Sequence, residues 1–316
     1  MEHSVSIIIC TRNRADSLRP TLESVGRATV PPGWNVERLV IDNGSTDSTE
    51  ATVASMARPN LPIRYIREPR KGKGYAYNTG MGAARGRVFL FTDDDVRVPV
   101  DWIEGMSRPI LEGAADAVQG GIRPAPHLER PWLTGMLRVW LAAVEDPNDP
   151  PEGLLVGANM AFDRAVLDVV AGFDPRLGPG AAGFYEETVF GWALRRAGKR
   201  IFYQPAVSVE HHFDPDRLNL GSFIGIARRM AESRAIVDRM LDPANSRPSI
   251  LDLLSKLPGF AYRCVTQTVK FLARRAPDPG FLWYYYRWCL WRALRKKERA
   301  NETPDEAQRA LAKAGR

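Results

Sequence analysis

The sequence predicts an α/β protein, a mostly parallel sheet flanked by helices, followed by a helical C-terminal extension. Three observations carry this. Four short runs, Val5 to Cys10, Leu39 to Ile41, Ile63 to Ile66 and Val88 to Phe91, are rich in β-branched and aromatic residues, as buried parallel strands are. Amphipathic or loop segments alternate with them, the pattern of strands linked by helices. Polar clusters follow three of the runs, Thr11-Arg12-Asn13-Arg14, Asp42-Asn43-Gly44-Ser45 and Asp93-Asp94-Asp95. Open α/β sheets bind ligands beyond the carboxyl ends of their strands, so the clusters converge on one crevice.

After the first run, Leu18, Leu22 and Val25 share one face of a helix, with Asp16 or Ser17 placed to cap its start. Asp42 ends the second run and is placed to accept hydrogen bonds from a base or ribose. Asp47 stands three residues before Glu50, which suits a helix cap. Arg70-Lys71-Gly72-Lys73-Gly74 is a basic glycine-rich turn entering a helix that carries Asn78. Its form suits backbone and lysine contacts to phosphate; the other reading is a solvated loop. It matches neither a Walker A loop nor Gly-x-Gly-x-x-Gly, since Tyr77 takes the third glycine position.

Asp93-Asp94-Asp95 is the strongest local signal. In extended backbone Asp93 and Asp95 share a face, and two parallel carboxylates call for a cation between them. Mg²⁺ or Mn²⁺, with diphosphate completing the shell, meets that need. The alternative is a solvated acidic turn or a helix cap, against which the apolar run before it counts.

Pro124 to Pro151 reads as a loop-rich excursion around a short helix near Leu133 to Val144, and Leu154 to Val209 as a second structured block. Within that block Glu186-Glu187 heads a helical stretch ended by Gly198. The helix dipole favours acids there; the functional alternative is a general base. His211-His212 follows a strand-like Ala206 to Val209, either as a metal ligand or as a surface pair. Beyond His212 the pattern is helical, with a frayed polar tail from Asn301. The expected boundaries are 1–115, 116–215 and 216–316.

Composition narrows the class. With 44% apolar and 26% charged residues the chain is neither disordered nor a multi-span membrane protein. Its net charge of +7 suggests an anionic partner or a solvated surface excess. Cys10, Cys264 and Cys289 have neither disulfide-framework nor metal-ligand spacing, which fits a reducing cytoplasm. No signal-peptide pattern opens the sequence, so a cytoplasmic location is expected. Phe281 to Trp291 is interrupted by Arg287 and is too short to span a bilayer. Its mixture of aromatic and basic residues suits an interfacial helix on the cytoplasmic face of a membrane, or a helix packing its aromatics on the rest of the protein.

Taken in order, these motifs resemble the GT-A-fold glycosyltransferases of family 2. The resemblance runs from Ser4 to His212, about two thirds of the chain. It is carried by Ser6 to Arg14, Val40 to Asp47, the Asn78 helix with Gly86 to Asp95, Gly157 to Arg164, Gly172-Phe173-Asp174, Glu186-Glu187 and Pro205 to His211. It implies a Rossmann-like GT-A sheet and inverting transfer from a nucleotide-diphosphate sugar, UDP or dTDP being favoured. Glycan and lipid-linked acceptors both fit, and no nucleic acid is expected.

By this resemblance Thr11 and Arg12 flank the base, with Arg14 and Asn43 nearby, and Asp42 binds base or ribose. Lys73, Asn78 and Asp94 complete the donor site. Asp93 and Asp95 form the Asp-x-Asp metal site, Asp95 as principal ligand, and His211 assists the metal or the diphosphate. Glu187 takes the place of the family's catalytic aspartate, with Glu186 beside it. The family usually has Glu-Asp there; the glutamate extends the carboxylate by one methylene.

Two rivals share some of these features. A nucleotidyltransferase usually carries a glycine-rich loop after its first strand, where this chain has Thr11-Arg12-Asn13-Arg14. A nucleic-acid-binding protein is suggested by the basic charge, but leaves the triple aspartate unexplained, because carboxylates repel phosphate.

Overall fold

The computed structural model describes residues 3–58, 61–146, 155–241, 257–274 and 276–295. The expected tail from Asn301 and part of the Pro124 to Pro151 excursion lie outside the described residues.

Eight strands form one mixed sheet in the order β3-β2-β1-β4-β7-β6-β8-β5. They are β1 (Ser4–Thr11), β2 (Asn35–Asp42), β3 (Ile63–Arg67), β4 (Val88–Asp93), β5 (Val96–Arg97), β6 (Ala117–Pro124), β7 (Met160–Asp163) and β8 (Ile201–His211). The first four are mutually parallel, and β7 runs against β4 and β6. The helices are α1 (Ala15–Arg27), α2 (Thr49–Ala54), α3 (Lys73–Ala83), α4 (Trp102–Leu111), α5 (Met136–Trp140), α6 (Glu186–Arg196), α7 (Leu220–Leu241), α8 (Leu257–Arg274) and α9 (Pro279–Arg295).

The period of two along β1 divides the core. Val5, Ile7 and Ile9 pack with Leu18, Leu22 and Val25 of α1 and with Trp102 and Met106 of α4. Ile8 and Cys10 face the other layer, with Tyr77 and Met81 of α3 and Phe190 and Leu194 of α6. Covering both faces explains why the strands read as continuous apolar runs; each fully buried side chain contributes roughly 1.5–3 kcal/mol. The polar Asn159, fully buried, ties this core together. It accepts from Trp102 Nε1 at 2.8 Å and donates to the Gly121 and Val207 carbonyls at 2.9 Å.

Two expectations need correction. Helix α1 begins earlier than Asp16 or Ser17, and its N-cap residue Arg14 makes no side-chain cap. Asp47 supplies it from across the crevice. Its carboxylate accepts from Ala15 N at 3.0 Å and from Thr49 N at 3.1 Å, so one aspartate serves the first turns of α1 and α2. The helix expected over Leu133 to Val144 is limited to α5, after which Ala142 takes a φ of 67°.

The C-terminal helices build a third core. Leu282, Tyr286 and Cys289, at i, i+4 and i+7 on α9, are buried with Phe223, Ile226 and Ala231 of α7 and Leu137 and Trp140 of α5. The aromatic-basic stretch therefore lays one face on the protein, leaving Trp283 46% exposed. Among the described residues no helix is long and apolar enough to cross a membrane.

Candidate active site

The ends of β1, β2 and β4 open onto a cavity of about 520 Å³, walled on the far side by the segment before α6 and by α5 and α7. Thr11, Arg12, Arg14, Asn43, Lys73, Asp93, Asp94, Asp95, Glu186, Glu187 and His211 all line it. Residues spread over two hundred positions of sequence thus meet in one place.

Strand register explains part of that meeting. Strand β5 pairs antiparallel with β8 so that Val96 lies opposite His211, and His212 N donates to the Asp95 carbonyl at 2.7 Å. His211 is thereby fixed beside the acidic turn, its Nε2 3.3 Å from Asp95 Oδ1. The Leu141 carbonyl lies 3.1 Å from His211 Nδ1. A carbonyl only accepts, so Nδ1 carries a hydrogen and Nε2 is the nitrogen aimed at the carboxylate.

Asp93 and Asp95 do not share a face. Strand β4 stops at Asp93, and Asp94-Asp95 form the turn into β5, so the extended-strand alternation ends one residue too early. The turn sends Asp94 and Asp95 toward Arg14, which bridges them at 3.2 and 2.8 Å. Asp93 goes instead to Lys73, 2.7 Å from its Nζ. Burial, together with the charge of Asp95, pushes the Asp94 carboxyl up to about 7 against the pull of Arg14 and a 2.7 Å hydrogen bond from Thr11. Burial opposes the charge of Asp95 too, yet His211 and Arg14 hold its carboxyl well below the usual carboxylate range.

The two glutamates line the same cavity. Glu187 faces it with Oε1 3.4 Å from both Lys73 Nζ and the Tyr77 hydroxyl. Glu186 is 2% exposed. Its burial and the neighbouring Glu187 push its carboxyl well above the usual range. A carboxyl held up in this way favours its protonated form. Burial thus sets two adjacent identical side chains apart, Glu186 at 2% exposed and the Glu187 side chain at 15%.

The backbone is shaped around this pair. Tyr185, the residue before Glu186, has φ 77°, a left-handed conformation that costs a non-glycine residue about 1–3 kcal/mol. Gly178, φ 80°, lies against Glu186, and a Cβ there would come within 2.5 Å of the Glu186 carboxyl carbon.

Other expected residues have different places. Asn78 lies outside the cavity lining and clamps the backbone of Phe173, donating to its carbonyl at 2.8 Å and accepting from its N–H at 2.9 Å. Its amide is spent on that turn, which corrects its assignment to the donor site. Asp42, 1% exposed, also lies outside the lining; it accepts from Ser45 N at 2.8 Å and from the Tyr65 hydroxyl at 2.5 Å. Asn43 shapes the basic turn, accepting from Gly72 N at 2.8 Å and donating to the Arg70 carbonyl at 2.6 Å. Lys73 is committed to Asp93 and Glu187 rather than standing free for phosphate. Arg12 is exposed at the rim.

Sequence reasoning missed four parts of the wall. Arg217 belongs to the turn Pro215–Leu218, and no motif marks it. Trp140, Phe184 and Met230 also line the cavity; their aromatic and thioether character reads as ordinary core in a sequence.

Among the described residues no three histidine, cysteine or carboxylate side chains converge on one metal-sized point. The fit of a cation rests on a smaller set. Asp95 Oδ1 is buried and accepts no hydrogen bond, and the atom that faces it is His211 Nε2. Two lone-pair atoms 3.3 Å apart need a proton or a cation between them. A ring nitrogen oriented by a carbonyl on its far side is how metal-binding histidines are held. Asp95 and His211 fit a hard divalent ion that takes its remaining ligands from phosphate and water; Asp93, drawn off by Lys73, does not belong to that set.

Comparison with known proteins bears on the family and the fold. The family model described as glycosyl transferase family 2 matches residues 6–170. The chain is 37% identical over 115 residues to the succinoglycan biosynthesis protein ExoO of Rhizobium meliloti, which covers 36% of this chain and 32% of that protein. It is 28% identical over 120 residues to the glycosyltransferase GlyA of Streptococcus pneumoniae, covering 38% of this chain and 17% of that protein. The chain therefore spans a third or less of these curated relatives. Among solved structures, the mannosyltransferase PcManGT of Pyrobaculum calidifontis, in complex with GDP-Man and Mn²⁺, superposes with a TM-score of 0.62 at 19% identity, over 93% of this chain and 88% of that one. Glucosyl-3-phosphoglycerate synthase of Mycobacterium tuberculosis, in complex with Mn²⁺, UDP and glucosyl-3-phosphoglycerate, gives a TM-score of 0.51 at 19% identity, over 75% of this chain and 79% of that one. The family model spans more than half of the residues, and the chain belongs to glycosyl transferase family 2 and has the GT-A fold.

Proposed function

We propose that this glycosyltransferase moves a sugar from a nucleotide-diphosphate donor to an acceptor hydroxyl with inversion at the anomeric carbon, Glu187 acting as general base. One observation carries the reading. The Glu187 carboxylate and the Asp95–His211 pair line the same cavity, with Lys73 joining Glu187 to the acidic turn through Asp93.

Glu187 takes the proton of the acceptor hydroxyl as its oxygen attacks the anomeric carbon. The bond to the diphosphate breaks with its electron pair leaving on the nucleotide, and a single displacement inverts the centre. Base assistance of this kind contributes roughly 10²–10⁴-fold in rate. Tyr77 and Lys73 orient the carboxylate, and Gly157 keeps the approach open, since a Cβ there would collide with the Tyr77 hydroxyl and the Glu187 carboxylate. Glu186, buried beside it with its carboxyl held well above the usual range, does not compete for the acceptor proton.

Asp95 and His211 would hold Mg²⁺ or Mn²⁺, in keeping with the Mn²⁺ named in the PcManGT and glucosyl-3-phosphoglycerate synthase complexes. Such an ion, when bound, supplies Lewis-acid charge to the diphosphate. Thr11, Arg12 and Asn43 place the nucleoside end. UDP or dTDP is the proposed nucleotide, although the neighbours include both a GDP-Man and a UDP complex. Trp140, Phe184 and Met230 give the acceptor end an apolar, partly aromatic wall, suited to the face of a sugar ring in a glycan or lipid-linked acceptor.

The test is release of nucleoside diphosphate from UDP-, dTDP- and GDP-sugars with Mn²⁺ or Mg²⁺, and with EDTA as the control. Metal-dependent release from one donor, giving a product of inverted anomeric configuration, supports the reading. Pyrophosphate as the product would replace it with nucleotidyl transfer.

A further inference from the structure

Four fixed cations line the cavity, Arg12, Arg14, Lys73 and Arg217. Two are committed: Arg14 bridges Asp94 and Asp95, and Lys73 bridges Asp93 and Glu187. Arg12 is exposed at the rim. Arg217 is different from all three. It is half-buried, and among the described residues its guanidinium makes no ion pair or hydrogen bond. The charges that act on it come from Asp95 and Asp93 on one side and from Arg14 and Arg229 on the other.

Its position is built. The guanidinium lies 5.4 Å from the centre of the Phe213 ring. That ring is 1% exposed and meets the His211 ring edge to face at 5.2 Å. The same phenylalanine therefore backs both His211 and Arg217, holding them in one geometry. The turn that carries Arg217 is closed by Asp214, whose carboxylate accepts from Asp216 N at 2.9 Å. Burial lowers the pKa of Arg217, yet an arginine starts so high that it stays charged at neutral pH.

A half-buried charge without a partner is costly unless something anionic completes it. The acids nearest to it are already engaged by Arg14, Lys73 and His211. We infer that Arg217 binds the terminal phosphate of the nucleoside diphosphate, as a fixed charge beside the Asp95–His211 pair. This rests on the proposed transfer reaction, in which that phosphate receives the electron pair of the broken glycosidic bond. A planar guanidinium offers two parallel N–H donors to two phosphate oxygens, and it is most useful where negative charge develops. Arg217 is then a catalytic residue in the sense that it touches the leaving group. It also makes the site select diphosphate over monophosphate.

The experiment is calorimetric titration of the full chain, with Mn²⁺ present, against UDP, dTDP and GDP and against the corresponding monophosphates. Wild type, Arg217→Gln and Arg217→Lys are compared on whichever diphosphate the wild type binds. Arg217→Gln is expected to weaken the diphosphate by about tenfold to a hundredfold, the range of a hydrogen bond to a charged group. It should change the monophosphate by less than about twofold on the same grounds. Arg217→Lys should recover part of the loss. Equal weakening of diphosphate and monophosphate, or no change in either, would overturn the assignment of Arg217 while leaving the transfer reaction standing. A wild type that binds none of the three diphosphates would overturn both.

Discussion

The turn after β4 and the head of α6 pose the same electrostatic problem and resolve it differently. Each places two adjacent carboxylates at the edge of one cavity, and each buries one or both. At Asp94-Asp95 the excess negative charge is met from another element, by Arg14 at the start of α1, with the His211 ring from the end of β8 held against Asp95. At Glu186-Glu187 it is met by a proton, retained on Glu186 because burial and its neighbour disfavour a second charge. The first arrangement suits a cation, the second suits proton transfer. Sequence order could not separate these roles, because both pairs read simply as acidic.

Breaking the second arrangement should have the largest effect. Glu187→Gln keeps the shape and removes the basicity, so turnover should fall by about 10²–10⁴-fold with little change in donor affinity. Steady-state kcat and KM measure it, and an unchanged kcat would remove Glu187 from the mechanism. Breaking the first comes next. Asp95→Ala removes the carboxylate that faces His211, and turnover should fall by about 10²–10³-fold. Mn²⁺ affinity, read by titration without nucleotide, should fall with it.

The smallest effect sharpens the contrast. Glu186→Gln replaces a carboxyl that is already neutral with a neutral amide that still donates a hydrogen bond. Activity should stay within about tenfold of wild type, since the base itself is untouched. Its signature is in stability. Glu186 has a raised carboxyl pKa when folded, so the native chain binds a proton that the unfolded chain releases above about pH 4.3. That contribution is complete below the unfolded pKa and declines as pH rises toward the folded one. Relative to wild type, Glu186→Gln should gain stability between pH 5 and pH 8, measured as urea midpoints. A gain of equal size at both pH values would mean that Glu186 does not carry the proton.

Much of this was legible in the residues. The β-branched runs at Val5, Leu39, Ile63 and Val88 mark β1 to β4, because strands covered on both faces leave a continuous apolar signature. The clusters at Thr11, Asp93 and Glu186 meet in the cavity because strand ends and helix starts are where polar residues interrupt such runs. Pairing partners were not legible. Asp93 turns to Lys73 because β4 ends there, and the point where a strand stops depends on the antiparallel β5–β8 pairing far along the chain. Asn78 shows the same limit, since a polar residue near a site is equally able to hold a turn; Asp47, read as a helix cap, does cap α2 and serves α1 as well. Arg217 had no signal at all. Its role depends on a phenylalanine four residues earlier and on which neighbouring acids already have partners.

The division of labour between the two carboxylate pairs is tested most directly by titrating the donor sugar nucleotide, with Mn²⁺, into wild type, Glu187→Gln and Asp95→Ala. Turnover is read on the same samples. We expect Glu187→Gln to bind the donor like wild type but to turn it over slowly, and Asp95→Ala to lose the metal-dependent part of binding. Loss of donor affinity in Glu187→Gln equal to that in Asp95→Ala, or metal-dependent binding that survives in Asp95→Ala, would contradict it.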